Sequence, residues 1–207
     1  MSVVVKGKRG PVRPDALNVV RGQQTRARIL AAARTRILTH GFEALRLDEL
    51  ARDAGITKAA VIKSVGGKAS ILLTLGDEDR QTRLQVIREA IPLRTGLRRR
   101  IHDLARQLLE LDVARLNVVM AYIGYMWFWT GADHERAQAM LDETRALLEK
   151  VFAAASATPL SSERLNLLSL RMLASYVVGL RDLRYGRATL DDAARLVVEL
   201  TLDVDAE

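Results

Sequence analysis

The feature that most constrains this 207-residue chain is the stretch over residues 41–71, GFEALRLDELARDAGITKAAVIKSVGGKASI. Leu47, Leu50, Ala51 and Ala54 recur at spacings of three and one, which gives a short helix one apolar stripe. Gly55 tolerates positive φ where that helix must stop, Ile56 can fill the corner, and the Thr57 hydroxyl can cap the next helix. A second short helix over 58–65 turns Val61 and Val65 inward at i,i+4 and leaves Lys58, Ile62 and Lys63 outward. Two short helices therefore meet at a sharp, fixed angle, and the second presents cations on its free face, as a major groove requires. A plain helical corner with solvated lysines would share the turn, so its surroundings decide between the two readings.

Upstream lies a helical pattern, TRARILAAARTRILTHGF over 25–42, and downstream Gly66-Gly67-Lys68 opens another. The order helix, Gly-Phe, helix, Ala-Gly-Ile-Thr-Lys, helix, Gly-Lys, long helix resembles the amino-terminal domain of the tetracycline-repressor (TetR) family of one-component transcriptional regulators. In motif the resemblance covers residues 25–75, about a quarter of the chain. It implies duplex DNA as a partner, read by a dimer at a palindromic operator, and it implies DNA contacts by Thr25, Arg46, Thr57, Lys58, Ala59, Ile62, Lys63 and Lys68. The chain departs from the family's usual pattern in four places. Ile62 stands where relatives carry a phosphate-contacting Tyr, Val65 where they carry a core Phe, Arg46 where a Ser or Thr caps the second helix, and Gly66 where Pro is common. Arg46 can reach a phosphate by charge but cannot cap a helix. These departures leave an alternative open, a TetR-like helical ligand-binding or protein-interaction module with weakened or lost specific DNA binding.

Charge is unevenly spread. Residues 1–75 hold 14 Lys and Arg against 5 Asp and Glu, whereas the remainder holds 18 against 20, so the net +7 is concentrated where the helix-turn-helix lies. With 49% hydrophobic and 28% charged residues the balance is globular, and the absence of cysteine excludes a disulfide framework, a thiolate zinc site and a cysteine nucleophile. The longest uncharged apolar run, 118–129, falls below the ~18 residues that suggest a membrane span, so the expected setting is cytoplasmic with no membrane partner.

Residues 1–22 mix five Lys and Arg with glycines and prolines and read as a basic flexible arm, either touching DNA or only raising solubility. Residues 23–75 form the three-helix DNA-binding domain, with the helix-turn-helix over 47–65, and 76–207 a larger helical domain for ligand binding and dimerisation. Helices are expected over 24–39, 68–91, from 97 through 111, 117–130, 134–155, 163–184 and 190–204, besides the two short ones, and Arg26, Arg28, Arg34 and Arg36 are expected to stay wet. All four prolines fall outside these interiors. The fold class is all-α with about nine helices.

Motifs for catalysis are lacking. Gly67-Lys68 resembles the end of a phosphate-binding loop, but Ile62 and Ala69 occupy the required glycine and hydroxyl positions. His40, His102 and His134 are too scattered for a metal site, and no cofactor is implied. The aromatic residues are more telling: Tyr122, Tyr125, Trp127, Phe128 and Trp129 lie within eight positions of a chain with only nine Phe, Tyr and Trp. Tyr122, Tyr125 and Trp129 follow i, i+3 and i+7, and with Met126 they could line a pocket for a small, largely apolar effector or simply fill the core. Leu168, Met172, Tyr176, Leu180 and Leu183 on one helix, with Leu196 and Leu200 on the next, read as a homodimer interface, unless the monomer buries them itself.

Overall fold

The structure, a computed structural model, describes residues 14–92 and 95–202. Among them the chain forms nine helices: α1 (Pro14–His40), α2 (Leu47–Ala54), α3 (Lys58–Val65), α4 (Lys68–Ala90), α5 (Leu97–Val113), α6 (Leu116–Tyr125), α7 (Gly131–Ala155), α8 (Ser162–Arg184) and α9 (Leu190–Leu202). Helix α1 begins ten residues before the expected start, so positions 14–22 of the expected arm are helical, and positions 1–13 lie outside the described residues. Proline in a first turn surrenders no intrahelical hydrogen bond, and the exposed turns over 18–24 extend a helix already anchored by Ile29, Leu30, Ala33 and Ile37.

Two larger apolar cores, and a small cluster of Leu73, Trp129 and Met140, share α4. The first joins α1, α2, α3 and the opening of α4 through Leu50, Val61, Val65, Ile71, Leu72 and Leu75. Val65 fills less space than an aromatic ring, and Phe42 and Leu45 close against the same core. The second core begins on α4 at Leu84 and is built around α5, whose Ile101, Leu104, Ala105, Leu108 and Leu109 are buried among α8 and α9. Helices α8 and α9 approach closely at Gly179, where an added Cβ would stand 3.5 Å from Val197 and 3.6 Å from Ala193.

Helix α6 ends at Tyr125, earlier than the apolar run suggested. Beyond it Met126 donates to the Ile123 carbonyl at 3.4 Å and Phe128 to the Tyr125 carbonyl at 2.9 Å, a tightened three-residue spacing. The turn buries Trp129 but leaves Trp127 82% and Phe128 69% exposed, and Gly131 at φ 54° starts α7. The Arg residues expected to stay wet on α1 are largely engaged. Arg34 reaches Asp79 and Glu78, Arg36 reaches Asp53 and Glu49, and Arg26 donates to the Ser64 carbonyl at 2.8 Å.

Candidate functional site

The corner between α2 and α3 has the geometry its residues require. Gly55 adopts φ 64°, and its N–H and that of Ile56 return to the Arg52 and Ala51 carbonyls. Thr57 is extended and its Oγ accepts from the Ala60 N–H at 3.2 Å, whereas Arg46, at the N-cap of α2, makes no side-chain cap. Arg36 of α1 braces α2 through Asp53 at 2.6 Å, and this guanidinium holds the Asp53 carboxyl below its ordinary range. With Val61 and Val65 sealed in the core, α3 presents Lys58, Ala59, Ile62 and Lys63 to solvent, and Ile62 is 47% exposed.

The cations of this face differ in availability. Lys58 lies 3.1 Å from Asp48 in an exposed pair, which holds it weakly, and Lys63 has no ion pair among the described residues. Lys68 donates to the Glu43 carbonyl at 3.0 Å and sits 4.5 Å from the Phe42 ring centroid, so its ammonium is committed to the corner. Its backbone N–H opens α4, where Gly67 provides no side-chain cap and an anion can be received. Thr25 is half-buried on α1, and Arg46 is exposed.

The second site is a cavity of about 350 Å³ among α4, α5, α6, α7 and α8. Leu84, Ile87, Val119, Met140 and Leu148 supply much of its apolar wall, and Tyr122, Met126 and Trp129 are also among its lining residues. Tyr125 is not. Its ring meets Phe42 edge-on at 5.5 Å and lies against the core shared by α1, α2, α3 and the opening of α4, because α6 carries it about 60° beyond the cavity face. The ring of Tyr122 seats on α4 at Gly76, where a Cβ would fall 2.0 Å from Tyr122 Cδ2.

The polar groups of the cavity wall are mostly satisfied by one another. Arg83 donates to Asp112 Oδ1 at 2.8 Å and the Tyr176 hydroxyl donates to Asp112 Oδ2 at 2.8 Å. Burial, reinforced by the Asp112 charge, raises the Tyr176 phenol well above its ordinary value, so it remains a neutral donor. Arg80 is held by Asp77 and, at 2.6 Å, by Glu143. Among the described residues, Trp129 Nε1 is buried without a hydrogen-bond partner.

Beside the cavity, α4 also carries the junction to α1. Asp79 is buried and takes Arg34 of α1 at 2.8 Å and Arg115, just before α6, at 3.0 Å. Asn117 of α6 donates to the Leu38 carbonyl of α1 at 2.8 Å. Spacing on α4 could have signalled Asp79 only as one more charge in the run 77–80.

The expected dimer residues divide. Leu168, Met172 and Leu180 are no more than 2% exposed and belong to the chain's own core, as does most of Tyr176 and Leu183, which removes them from an outer interface. The most apolar face of α8 is the one the monomer itself buries, so hydrophobicity alone selected the inner face. Leu196 is partly and Leu200 47% exposed.

The helix-turn-helix, with the cation-bearing face of α3 exposed, is joined through α4 to a larger helical region that holds an apolar cavity. Residues 29–75 match the family described as bacterial regulatory proteins, tetR family. The fold over most of its length is that of TetR-family regulators. It is similar to the regulator FadR from Bacillus subtilis in complex with stearoyl-CoA, with TM-score 0.66 and 14% identity over 86% of this chain and 97% of that one. It is also similar to the TetR-family regulator PfmR from Thermus thermophilus, with TM-score 0.64 and 16% identity over 84% and 97%. A third similar structure is the SmeT–triclosan complex, with TM-score 0.60 and 18% identity over 87% and 90%. No curated protein matches the sequence.

Proposed function

We propose that this protein is a ligand-responsive transcriptional repressor that reads a palindromic duplex-DNA operator as a homodimer. The observation that carries the reading is the double role of α6. Tyr122, Ile123 and Met126 wall the cavity, while Val118 is sealed in the core of the DNA-binding domain and Tyr125 lies on Phe42. An effector that occupies the cavity acts on a ten-residue helix whose other face positions α1 and the corner at Phe42. One α3 reaches too few base pairs for tight specific binding, which is why two copies are required.

The effector class follows from the wall. Both lining arginines are already neutralised by carboxylates, so an uncharged, largely apolar molecule is accommodated at least cost, with one acceptor atom for Trp129 Nε1. Similar folds occur in complex with stearoyl-CoA and with triclosan, which supports a small-molecule cavity here.

Selecting duplex fragments from the source organism's DNA with purified protein tests the reading. The expected result is a palindromic site preferred about 10³-fold or more over random duplex at ~0.15 M salt. Ile62→Tyr, which restores a hydroxyl on the exposed face of α3, is expected to tighten that binding. No preference in either form would favour a helical ligand-binding module without specific DNA contacts, a reading supported by the engagement of Lys58 with Asp48 and Lys68 with Glu43.

A further inference from the structure

We propose that the groove where α1, α6 and α8 meet is a second ligand site, separate from the cavity, for a small organic anion with an apolar body, and that its occupancy is felt at α1 through Asn117. The site stands on the groove alone; its effect on DNA rests on the repressor reading of the proposed function.

The groove encloses about 630 Å³ and shares no lining residue with the cavity. Leu38 comes from the last turn of α1, Val113 and Ala114 from the end of α5, Asn117 from the first turn of α6, and Arg184 and Tyr185 from the end of α8. Leu38, Val113 and Tyr185 are 36%, 46% and 63% exposed, so three large apolar side chains stand wet on one concave surface. Beside them the charge is unbalanced. Arg184 donates through Nη1 to the neutral amide oxygen of Asn117, and the guanidinium carbon of Arg187 lies 5.4 Å from the centroid of the Tyr185 ring. Among the described residues neither guanidinium meets a carboxylate, and Asp182, in the same turn of α8, is taken by Arg181 at 3.3 Å.

These two properties together select the ligand class. An inorganic anion would answer the guanidiniums and leave the apolar wall wet, and an uncharged molecule would do the reverse. An oxyanion on a flat apolar body does both: its oxygens accept from Arg184, and its body covers Leu38 and Val113 with Tyr185 at its edge. Asn117 connects this site to α1. Its Nδ2 donates to the Leu38 carbonyl at 2.8 Å while its Oδ1 accepts from Arg184, so one side chain ties α1 to α8. A bound oxyanion competes with Asn117 Oδ1 for the same guanidinium, which releases one end of the tie. Helix α1 shares its core with α2 and α3, so the release reaches the recognition helix.

The probes are 2-naphthoate and its neutral counterpart 2-naphthamide, which share one ring system and differ in charge. The chain contains no cysteine, so Ala114→Cys on the groove and Gln138→Cys on the cavity, both exposed positions, each report one site by maleimide labelling. Saturating 2-naphthoate is expected to slow labelling at 114 about tenfold, and 2-naphthamide at the same concentration to leave it unchanged. Arg184→Gln, at an exposed position, is expected to keep the fold and abolish that protection. On the selected operator, 2-naphthoate is expected to weaken binding of the unmodified chain about tenfold and to have no effect on Arg184→Gln. Asn117→Ala, which cuts the tie without a ligand, is expected to weaken operator binding by a similar factor in the absence of 2-naphthoate.

Labelling at 114 that 2-naphthoate leaves unchanged, or that 2-naphthamide slows as much, overturns the site, as does protection that survives Arg184→Gln. Protection confined to 138 would put the anion in the cavity, with the same consequence. Protection at 114 with unchanged operator affinity overturns the link to α1 and leaves the repressor reading standing. A chain that selects no operator defeats the repressor reading, and the labelling result then still decides the site.

Discussion

A missing Cβ at Gly76 fixes where the Tyr122 ring can sit. With Cδ2 and Cε2 at 2.0 and 2.4 Å from the place a methyl would occupy, Gly76→Ala forces the ring off α4. The expected cost is about 1–3 kcal/mol in denaturant unfolding, partly recovered when Tyr122→Ala is added, because the second change removes the obstacle. Equal midpoints for Gly76→Ala and wild type would show that the ring relocates freely. Tyr176 supports a test in pH. Burial and the adjacent Asp112 raise its phenol above the unfolded value near 10, so its contribution to stability is complete below about pH 10 and is lost as pH rises through the folded value. Wild type is therefore expected to lose stability above about pH 10 while Tyr176→Phe, weaker at neutral pH, lacks that component, so the gap between them narrows. A gap that widens would mean the phenol ionises more readily in the folded protein.

At the scale of elements, the junction of α1, α4 and α6 turns on one carboxylate. Asp79 is 3% exposed and holds Arg34 and Arg115 at once, so Asp79→Asn leaves two guanidiniums without their shared partner. The expected loss is about 1–3 kcal/mol, below that of a fully buried pair because both arginines keep some solvent contact. If the junction couples the two cores, effector should also release DNA less completely from this variant; undiminished release would place the coupling in the apolar face of α6 alone. The helix-turn-helix was legible in the sequence because Gly55, Thr57, Val61 and Val65 each answer to a local rule of turn, cap or periodicity. The end of α6 was not, since an apolar run through Trp129 looks alike whether it continues as helix or turns to bury one aromatic residue and expose two. Tyr125 was misplaced for the same reason, its partner Phe42 lying 83 positions earlier. On α8 the periodicity identified one apolar face but not its owner, because a monomer core and a subunit interface call for the same kinds of residue.

For the whole molecule, the proposed function turns on how the positive charge of the first 75 residues meets a duplex. A two-fold pair of recognition helices reads half-sites about one helical turn apart, and the beginning of each helix lies nearest the bases. Lys58 and Ala59 open α3, whereas Lys63 lies in its last turn and has no ion pair among the described residues. On the repressor reading, Lys58 is expected to face base edges and Lys63 a phosphate. Lys58→Ala is expected to cost about 1–3 kcal/mol at the selected operator with little change on random duplex, since a lost base contact is felt only where that base is present. The weak pair with Asp48 must be given up on binding, which places the effect toward the lower end of that range. Lys63→Ala is expected to weaken operator and random duplex alike and to reduce the slope of log affinity against log salt by about one unit per subunit, because one fewer counterion is released at each half-site. Titrations of both variants on both duplexes at several salt concentrations read the two effects separately. A selective loss with Lys63→Ala and a uniform one with Lys58→Ala would mean that α3 enters the groove by its other end, and the half-site assignment would have to be reversed.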